Sequence, residues 1–453
     1  MNQARIDQRA IRLIEQLDAY RFTQAAAGED SAVKAWLVGG SVRDLLLGSS
    51  IYDYDICTSL TPDELMAELT DLTVIPTGLT HGTVTVNAWG LYCEVTSLRE
   101  EDQYSDSRHP NAVRFIRDIK RDLARRDFTI NAIAWHPLSG LTDPFDGQKD
   151  LHEGLVRAVG AASERFEEDA LRILRALRFS AQLGFEIEAE TAAAMRLSHD
   201  RLHRIARERM SVEFRKMLKT AAFPQIWLDW PEVWEIVFPQ LAKRLRLNVR
   251  DGAFDPALQD TVVYSENRQR LIEIYNYEWS ERLCLACLLR PLALESLMWQ
   301  RSAITLLRLP RQLVDALITI GQALRSPDFW QERIYKQGAA QEGLRRWGEY
   351  WDEILLLAIA CGPNDPWLPI PIDETLFRRM VEETASVRGE ALPYSLSDLA
   401  INGRDLLELG MPAGPQIAAV LNHLLDLVIS TEVPNRNSDL RQAAIRYLQC
   451  QSV

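Results

Sequence analysis

Two carboxylates one residue apart, Asp53 and Asp55, stand in the short run DYDICT, shortly after the diglycine of LVGGSVRDLLLG. The apolar residues on either side predict strands, and strand side chains alternate between faces, so Asp53 and Asp55 share one face while Tyr54 takes the other. Two carboxylates on one face repel unless a cation lies between them, and hard oxygen ligands suit Mg²⁺. Gly39 and Gly40 let the backbone approach a ligand closely, and the helix predicted from Val42 offers unpaired N–H groups to a phosphate. Together these features point to chemistry on a nucleoside triphosphate. Two further clusters fit that chemistry. In RRDFTINA, Arg125 and Arg126 offer permanently charged, planar donors for phosphate ahead of a predicted helix start. Asp127 and Asn131, four apart, fall on one face of that helix. In EDALR, Asp169 and Arg172 are three apart, again on one predicted helix face.

The elements that must position these residues divide into two kinds. Up to about residue 150 the pattern predicts four or five short strands flanked by helices. A helix over 7–22 carries Ile11, Ile14 and Leu17 on one stripe, and Thr61-Pro62-Asp63-Glu64 starts another. Thr83–Val86 and Leu91–Thr96 alternate around Asn87–Gly90 as a hairpin, with Glu94 on the second strand. From Ser163 onward only helical periodicity is found, with breaks at Asn248–Pro256, Gly362–Asp373 and Pro412–Pro415. The tryptophans at 227, 230, 234, 347 and 351 recur at helix spacing and are expected to anchor helix packing.

Composition narrows the classes. The chain has 453 residues and a formal charge of −13, which argues against indiscriminate nucleic-acid binding but leaves room for local basic stripes. One such stripe comprises Arg201, Arg204, Arg207, Arg209, Arg215, Lys216 and Lys219. The Cys284/Cys287 pair lies in an apolar helical run without a second pair nearby, so it is expected on a buried helix face. No apolar run is long enough to span a bilayer, and the N-terminus lacks a signal-peptide layout; a cytoplasmic protein is expected, with no membrane partner.

In order and spacing, GGSVRDLLLG–DYD, RRDFTINA and EDALR resemble the motifs of polymerase-beta-like nucleotidyltransferases, in the form found in the bacterial class II CCA-adding tRNA nucleotidyltransferases and poly(A) polymerases. The resemblance implies an α+β chain. A nucleotidyltransferase head with a short mixed sheet and helices would occupy 1–152, followed by an all-α neck at 153–220, a body at 221–375 and a tRNA-binding tail at 376–453. It implies template-independent addition of C, C and A to tRNA from CTP and ATP, by two-metal transfer with pyrophosphate release. Asp53 and Asp55 would hold Mg²⁺, with Glu94 as the third catalytic carboxylate. Gly39, Gly40, Arg43, Arg126, Asp127, Asn131, Asp169, Arg172 and Arg175 would bind the nucleotide, Asp127 and Asn131 holding the sugar. Asp106 and Arg108 match a loop that adjusts the site between nucleotides, and His81 would line the nucleotide end. Arg207-Glu208-Arg209-Met210 with Glu213 resembles a further motif that shapes the neck. The tail and body would grip the elbow of tRNA while its 3′ end enters the head. Three alternatives share parts of this pattern: a poly(A) polymerase, an enzyme adding only the terminal A, and a non-catalytic tRNA-binding protein.

Overall fold

The computed structural model describes residues 5–20, 33–78, 82–101, 113–220, 222–240, 242, 281–290, 296–305, 307–362, 365 and 370–450. The chain forms two compact units, Met1–Val237 and Phe238–Val453. Their boundary falls inside the stretch that the sequence assigns to the body.

The first unit is built on strands β1 (Ala35–Val38), β2 (Tyr54–Thr58), β3 (Thr73–Gly78), β4 (Thr83–Ala88), β5 (Leu91–Ser97), β6 (Arg99–Glu101), β7 (Val113–Phe115), β8 (Ala134–His136) and β9 (Gly140–Thr142). Seven of them form one mixed sheet in the order β3-β4-β5-β2-β1-β8-β9. Only the β2–β5 pairing in it is parallel. The sheet is wider than the four or five strands expected, because β8 and β9 are too short to show alternation. β1 reads AWLV and is buried at every position, as a central strand covered on both faces must be. Helix α1 (Gln8–Asp18) lays Ile11, Ile14 and Leu17 onto it, and Asp7 caps the helix through the Arg9 N–H. The β4–β5 hairpin turns through Trp89 and Gly90, both at positive φ, the backbone of a two-residue primed turn. Trp89 occupies a position that favours glycine, and the Arg12 guanidinium lies 3.9 Å over its ring.

Around the sheet stand α2 (Gly40–Leu46), α3 (Pro62–Glu68), α4 (Ile119–Ala124) and α5 (Gly147–Glu153). The helical part of the unit follows: α6 (Ala162–Glu168), α7 (Leu171–Leu183), α8 (Ala189–Ser198), α9 (Arg207–Leu218), α10 (Phe223–Asp229) and α11 (Pro231–Val237). A two-residue parallel ladder between β10 (Leu155–Val156) and β11 (Glu186–Ile187) interrupts the helices; no strand was expected there. Trp227 and Trp234 stack at 4.8 Å and are buried, the packing role their spacing predicts.

The described part of the second unit is helical. Trp330, Trp347 and Trp351 form a stacked series around Phe329. Cys284 and Cys287 are buried in the helix Glu281–Leu289. The breaks expected near 362–373 and 412–415 separate helices, and the one at 248–256 lies outside the described residues. Helices Gly403–Glu408, Pro415–Ile429 and Asn437–Cys450 enclose a core of Leu406, Leu424, Leu425 and Leu440. Among the described residues no helix is long and apolar enough to cross a membrane.

Candidate active site

β1 delivers the chain to Gly39, which caps α2 at φ +64°. This glycine is required twice over. Its φ is in the left-handed region, and a Cβ there would stand 3.0 Å from Arg126 Nη1 and 3.7 Å from Asp55 Oδ2. The Arg126 guanidinium and the Asp55 carboxylate therefore meet at Gly39. Ser41, which the sequence analysis overlooked, fixes the carboxylate segment from the first turn of α2. Its Oγ donates to Asp53 O at 2.8 Å and accepts from Asp55 N–H at 2.9 Å. A serine directly after the glycines, at a helix start, was the available signal.

Asp55 lies on β2, and Glu94 stands directly beside it on the parallel strand β5. Asp53 precedes the strand, so the shared-strand expectation is corrected: an exposed loop residue, tied back by Ser41, takes the place of the first strand position. Burial, and then the Glu94 carboxylate, push Asp55 up to about 6, with Asp53 adding to the rise and Arg126 and Arg43 opposing it. Among the described residues no three His, Cys, Asp or Glu side chains gather closely enough to hold a metal by themselves. The electrostatics nevertheless fit a cation: a half-buried carboxylate with a carboxylate neighbour in register is relieved by positive charge.

Arg125 and Arg126 end α4, with Arg125 as its C-cap, and do not precede a helix start as expected. Asp122, buried one turn earlier, pairs with Arg125 at 2.7 Å and Arg126 at 3.4 Å. Arg126 Nη2 also reaches Cys57 Sγ at 3.2 Å, while its buried Nε has no hydrogen-bond partner. Asp127 and Asn131 are not on one α-helix face either. Asp127 precedes a single 3₁₀ turn, Thr129–Asn131, and the tight turn brings Asn131 Nδ2 to Asp127 Oδ1 at 3.4 Å. The two side chains come together all the same, through a different backbone.

From these two residues a polar chain runs through the unit. Arg43 donates to Asn131 Oδ1 at 2.9 Å. Arg175 Nη2 contacts Asp127 Oδ2 at 2.6 Å. Glu213 on α9 lies 3.8 Å from Arg175 and 2.5 Å from Arg178. Burial pushes the Asp127 carboxyl up, but the charges of Arg175 and Arg172 and the bonds from Arg175 and Phe128 N–H outweigh it and hold the group below its usual range.

The pairing of Asp169 with Arg172 on a helix face is also corrected. Asp169 is extended, in the break between α6 and α7, and caps Leu171 N–H at 3.0 Å. Its partner is Arg209 of α9, at 2.6 Å. Arg172 instead pairs with Glu168 at 2.6 Å and donates to the carbonyls of Arg165 and Arg125. Both residues still line one cleft of about 740 Å³, together with Gly39, Gly40, Arg43, Asp55, Glu94, Arg126, Asp127, Asn131 and Arg175. Arg178, Phe179 and Arg209 line it too. Asp53 stands outside that lining. His81, Asp106 and Arg108 lie outside the described residues.

Comparison with known proteins matches residues 35–157 to the poly A polymerase head domain, 184–244 to the probable RNA and SrmB-binding site of polymerase A, and 380–444 to the putative tRNA nucleotidyltransferase domain 2. A CCA-adding enzyme of Geobacillus stearothermophilus is 33% identical over 412 residues, which span 88% of this chain and 90% of that one. The chain belongs to the CCA-adding enzyme family. A CCA-adding enzyme of Listeria monocytogenes serotype 4b is likewise 33% identical, over 90% of this chain and 93% of its own. The crystal structure of the Bacillus stearothermophilus CCA-adding enzyme in complex with CTP aligns over 98% of both chains with a TM-score of 0.73 at 28% identity. The Thermotoga maritima CCA-adding enzyme complexed with tRNA shares the fold, with a TM-score of 0.63 at 21% identity over 98% of this chain and 97% of that one. The α+β head and largely helical remainder share the fold of that CTP-bound CCA-adding enzyme.

Proposed function

We infer that this protein is a tRNA nucleotidyltransferase that adds C, C and A to the 3′ end of tRNA from CTP and ATP, without a nucleic-acid template. The observation that carries the reading is the single cleft that brings Asp55 and Glu94, the Gly39–Arg126 phosphate corner, the Asp127–Asn131 pair and Asp169 together. In each addition the terminal 3′ oxygen bonds to the α-phosphorus of the incoming nucleotide, the bond to the β-phosphate oxygen breaks, and pyrophosphate leaves. Little covalent help is needed from protein; alignment and charge neutralisation do most of the work.

We assign a divalent cation, Mg²⁺ by the hardness of the oxygen donors, to Asp53 and Asp55, with Glu94 completing the carboxylate set. A cation held there would supply positive charge to the triphosphate and would make the attacking hydroxyl more acidic. The chain's own residues do the rest. Arg126, with its unpartnered Nε at the Gly39 corner, takes the triphosphate, and α2 offers it N–H groups. Asp127 and Asn131, braced by Arg175 and Arg43, hold the sugar. Asp169 accepts from the exocyclic amino group that cytosine and adenine share, and Arg172 donates to the adjacent ring nitrogen. Uracil and guanine place a carbonyl opposite Asp169, a buried mismatch that rejects them by roughly 10⁴-fold. Asp106 and Arg108 would adjust the site between the two nucleotides, and the 380–444 region is assigned to the tRNA elbow. With bacterial relatives and tRNA as substrate, we place the protein in the cytoplasm.

Purified protein with Mg²⁺, labelled CTP or ATP, and tRNA lacking CCA or ending in CC tests the reading. Stepwise C, C, A on the first primer, stopping there, is expected. Addition of A alone, to the CC-ended tRNA alone, would make it an A-adding enzyme; long A tracts on any RNA would make it a poly(A) polymerase.

A further inference from the structure

The nucleotide cleft uses only part of the sheet face that carries the carboxylates. On β5, Tyr92, Glu94 and Thr96 alternate onto one face while Cys93 and Val95 turn into the core. Glu94 and Thr96 line the cleft. Tyr92 does not, and 61% of it is exposed. The β2–β5 pairing begins at Tyr54 and Cys93, so Tyr92 lies one residue before it on β5 and Asp53 one residue before it in the loop ahead of β2.

The same face continues outward. Directly opposed residues of antiparallel strands share a face, which puts Thr85 beside Glu94 and Asn87 beside Tyr92 on β4. Ile75 follows beside Thr85 on β3 and is 44% exposed. Thr77 Oγ1 ties to Thr85 Oγ1 at 3.1 Å and stiffens this patch. Apart from Glu94, the residues named on β3, β4 and β5 are uncharged, a mix of hydroxyl, amide, apolar and aromatic groups beside the proposed catalytic carboxylates.

The direction of the reaction says what belongs there. Gly39 and Arg126 approach Asp55 from the β1 side, and with the triphosphate assigned to Arg126 the pyrophosphate leaves on that side. In an in-line displacement the attacking oxygen arrives from the opposite side. Across β2 from β1 the sheet runs to β5, β4 and β3. We propose that this open face, centred on Tyr92, is the subsite for the single-stranded 3′ end of the acceptor RNA, and that the Tyr92 ring stacks on a terminal base. Every base has a π-face, so stacking suits a primer whose last nucleotide changes from discriminator to C to C during one substrate's passage. Neutral hydroxyl and amide groups let the end step back after each addition, where phosphate-clamping cations would hold it.

The inference rests on reading Asp53, Asp55 and Glu94 as the catalytic carboxylates, and its test keeps the two apart. Tyr92→Ala is expected to raise KM for tRNA lacking CCA about tenfold while KM for CTP stays within about twofold, and Tyr92→Phe is expected to restore the wild-type value. Thr85→Asp, which adds a negative charge to the same face, should raise the acceptor KM as well. A binding readout needs no turnover. A tRNA carrying 2-aminopurine at its 3′ end, mixed with protein without nucleotide, should be quenched by wild-type and by Asp53→Ala protein but not by Tyr92→Ala. Quenching through Tyr92 by wild-type protein that adds no nucleotide in the presence of Mg²⁺, CTP and ATP would strike the carboxylate reading and leave the subsite standing. Unchanged acceptor KM and quenching in both Tyr92→Ala and Thr85→Asp, or an equal rise in KM for CTP, would overturn the subsite.

Discussion

Arg209 and Asp169, forty positions apart in sequence, form a 2.6 Å ion pair in the lining of the cleft. The pair joins α9 to the break between α6 and α7, and it leaves Asp169 with one oxygen on Arg209 and the other on Leu171 N–H. A carboxylate held on two sides presents its remaining lone pairs in a fixed direction, which is what reading an amino group requires.

Arg209→Ala should therefore relax base choice more than it weakens nucleotide binding. We expect the preference for CTP over UTP to fall by roughly tenfold, the scale of one lost charge-assisted hydrogen bond. Single-turnover incorporation of CTP and UTP by the variant checks this, and an unchanged ratio would remove Arg209 from base reading.

Glu213 sits one turn further along α9, where it serves Arg178 and, through Arg175, Asp127. Burial pushes the Arg178 guanidinium below its usual range despite Glu213 beside it. Glu213→Gln leaves that cation buried without its counter-ion, and should destabilise the first unit by roughly 3 kcal/mol. Pairing it with Arg178→Met should recover most of the stability, while CTP binding stays weak because Arg175 has lost its brace. Chemical denaturation with parallel CTP titrations separates the two effects; a double variant that binds CTP normally would show Glu213 to be purely structural.

The centre of this site is readable from sequence because its geometry is local. Gly39-Gly40 beside an apolar run needs only a strand and a turn to take effect, and Asp55 lies on the strand its apolar neighbours predict, although Asp53 does not. Asp127 and Asn131 also come together, although a 3₁₀ turn replaces the shared helix face that was expected. Contacts made across the fold are not readable. An i, i+3 spacing of Asp169 and Arg172 implies one helix face only if the helix is continuous, and no glycine or proline in Glu168-Asp169-Ala170 announces the break. Arg209 is one of seven basic residues in a charged stretch, and spacing cannot tell a solvated cation from one paired with a residue forty positions away. β8, β9 and β10 fail for another reason: two or three residues are too few to show a period.

Asp53 is exposed and outside the cleft lining, so its replacement should spare both fold and nucleotide pocket. Asp53→Ala is expected to lower kcat for CTP and ATP addition about 10³-fold, the consequence of losing several kcal/mol of charge stabilisation. tRNA and CTP binding, followed by fluorescence, should change little. Turnover near wild type would remove Asp53 from the metal site.

Asp55 gives the metal-free protein a pH dependence whose sign is fixed by its surroundings. Burial and the neighbouring Glu94 raise it to about 6, against about 3.9 for an aspartate in an unfolded chain. The folded state thus holds the proton more tightly. Its stabilising contribution is full below about pH 4 and is lost as pH rises through about 6, up to about 3 kcal/mol. Asp55→Asn has no such proton to lose. In EDTA at about pH 7.5 its first unit should melt above wild type, and the difference should shrink on acidification to about pH 4.5. Mg²⁺ should raise the Tm of wild type at the higher pH and leave the variant nearly unmoved, because the cation replaces the proton only where a carboxylate is present to receive it. Thermal scans across pH, with and without the metal, read out both effects. An Asp55→Asn protein that melts below wild type in EDTA at about pH 7.5 would mean the carboxylate is already satisfied by the fold, and the cation site would have to be sought elsewhere.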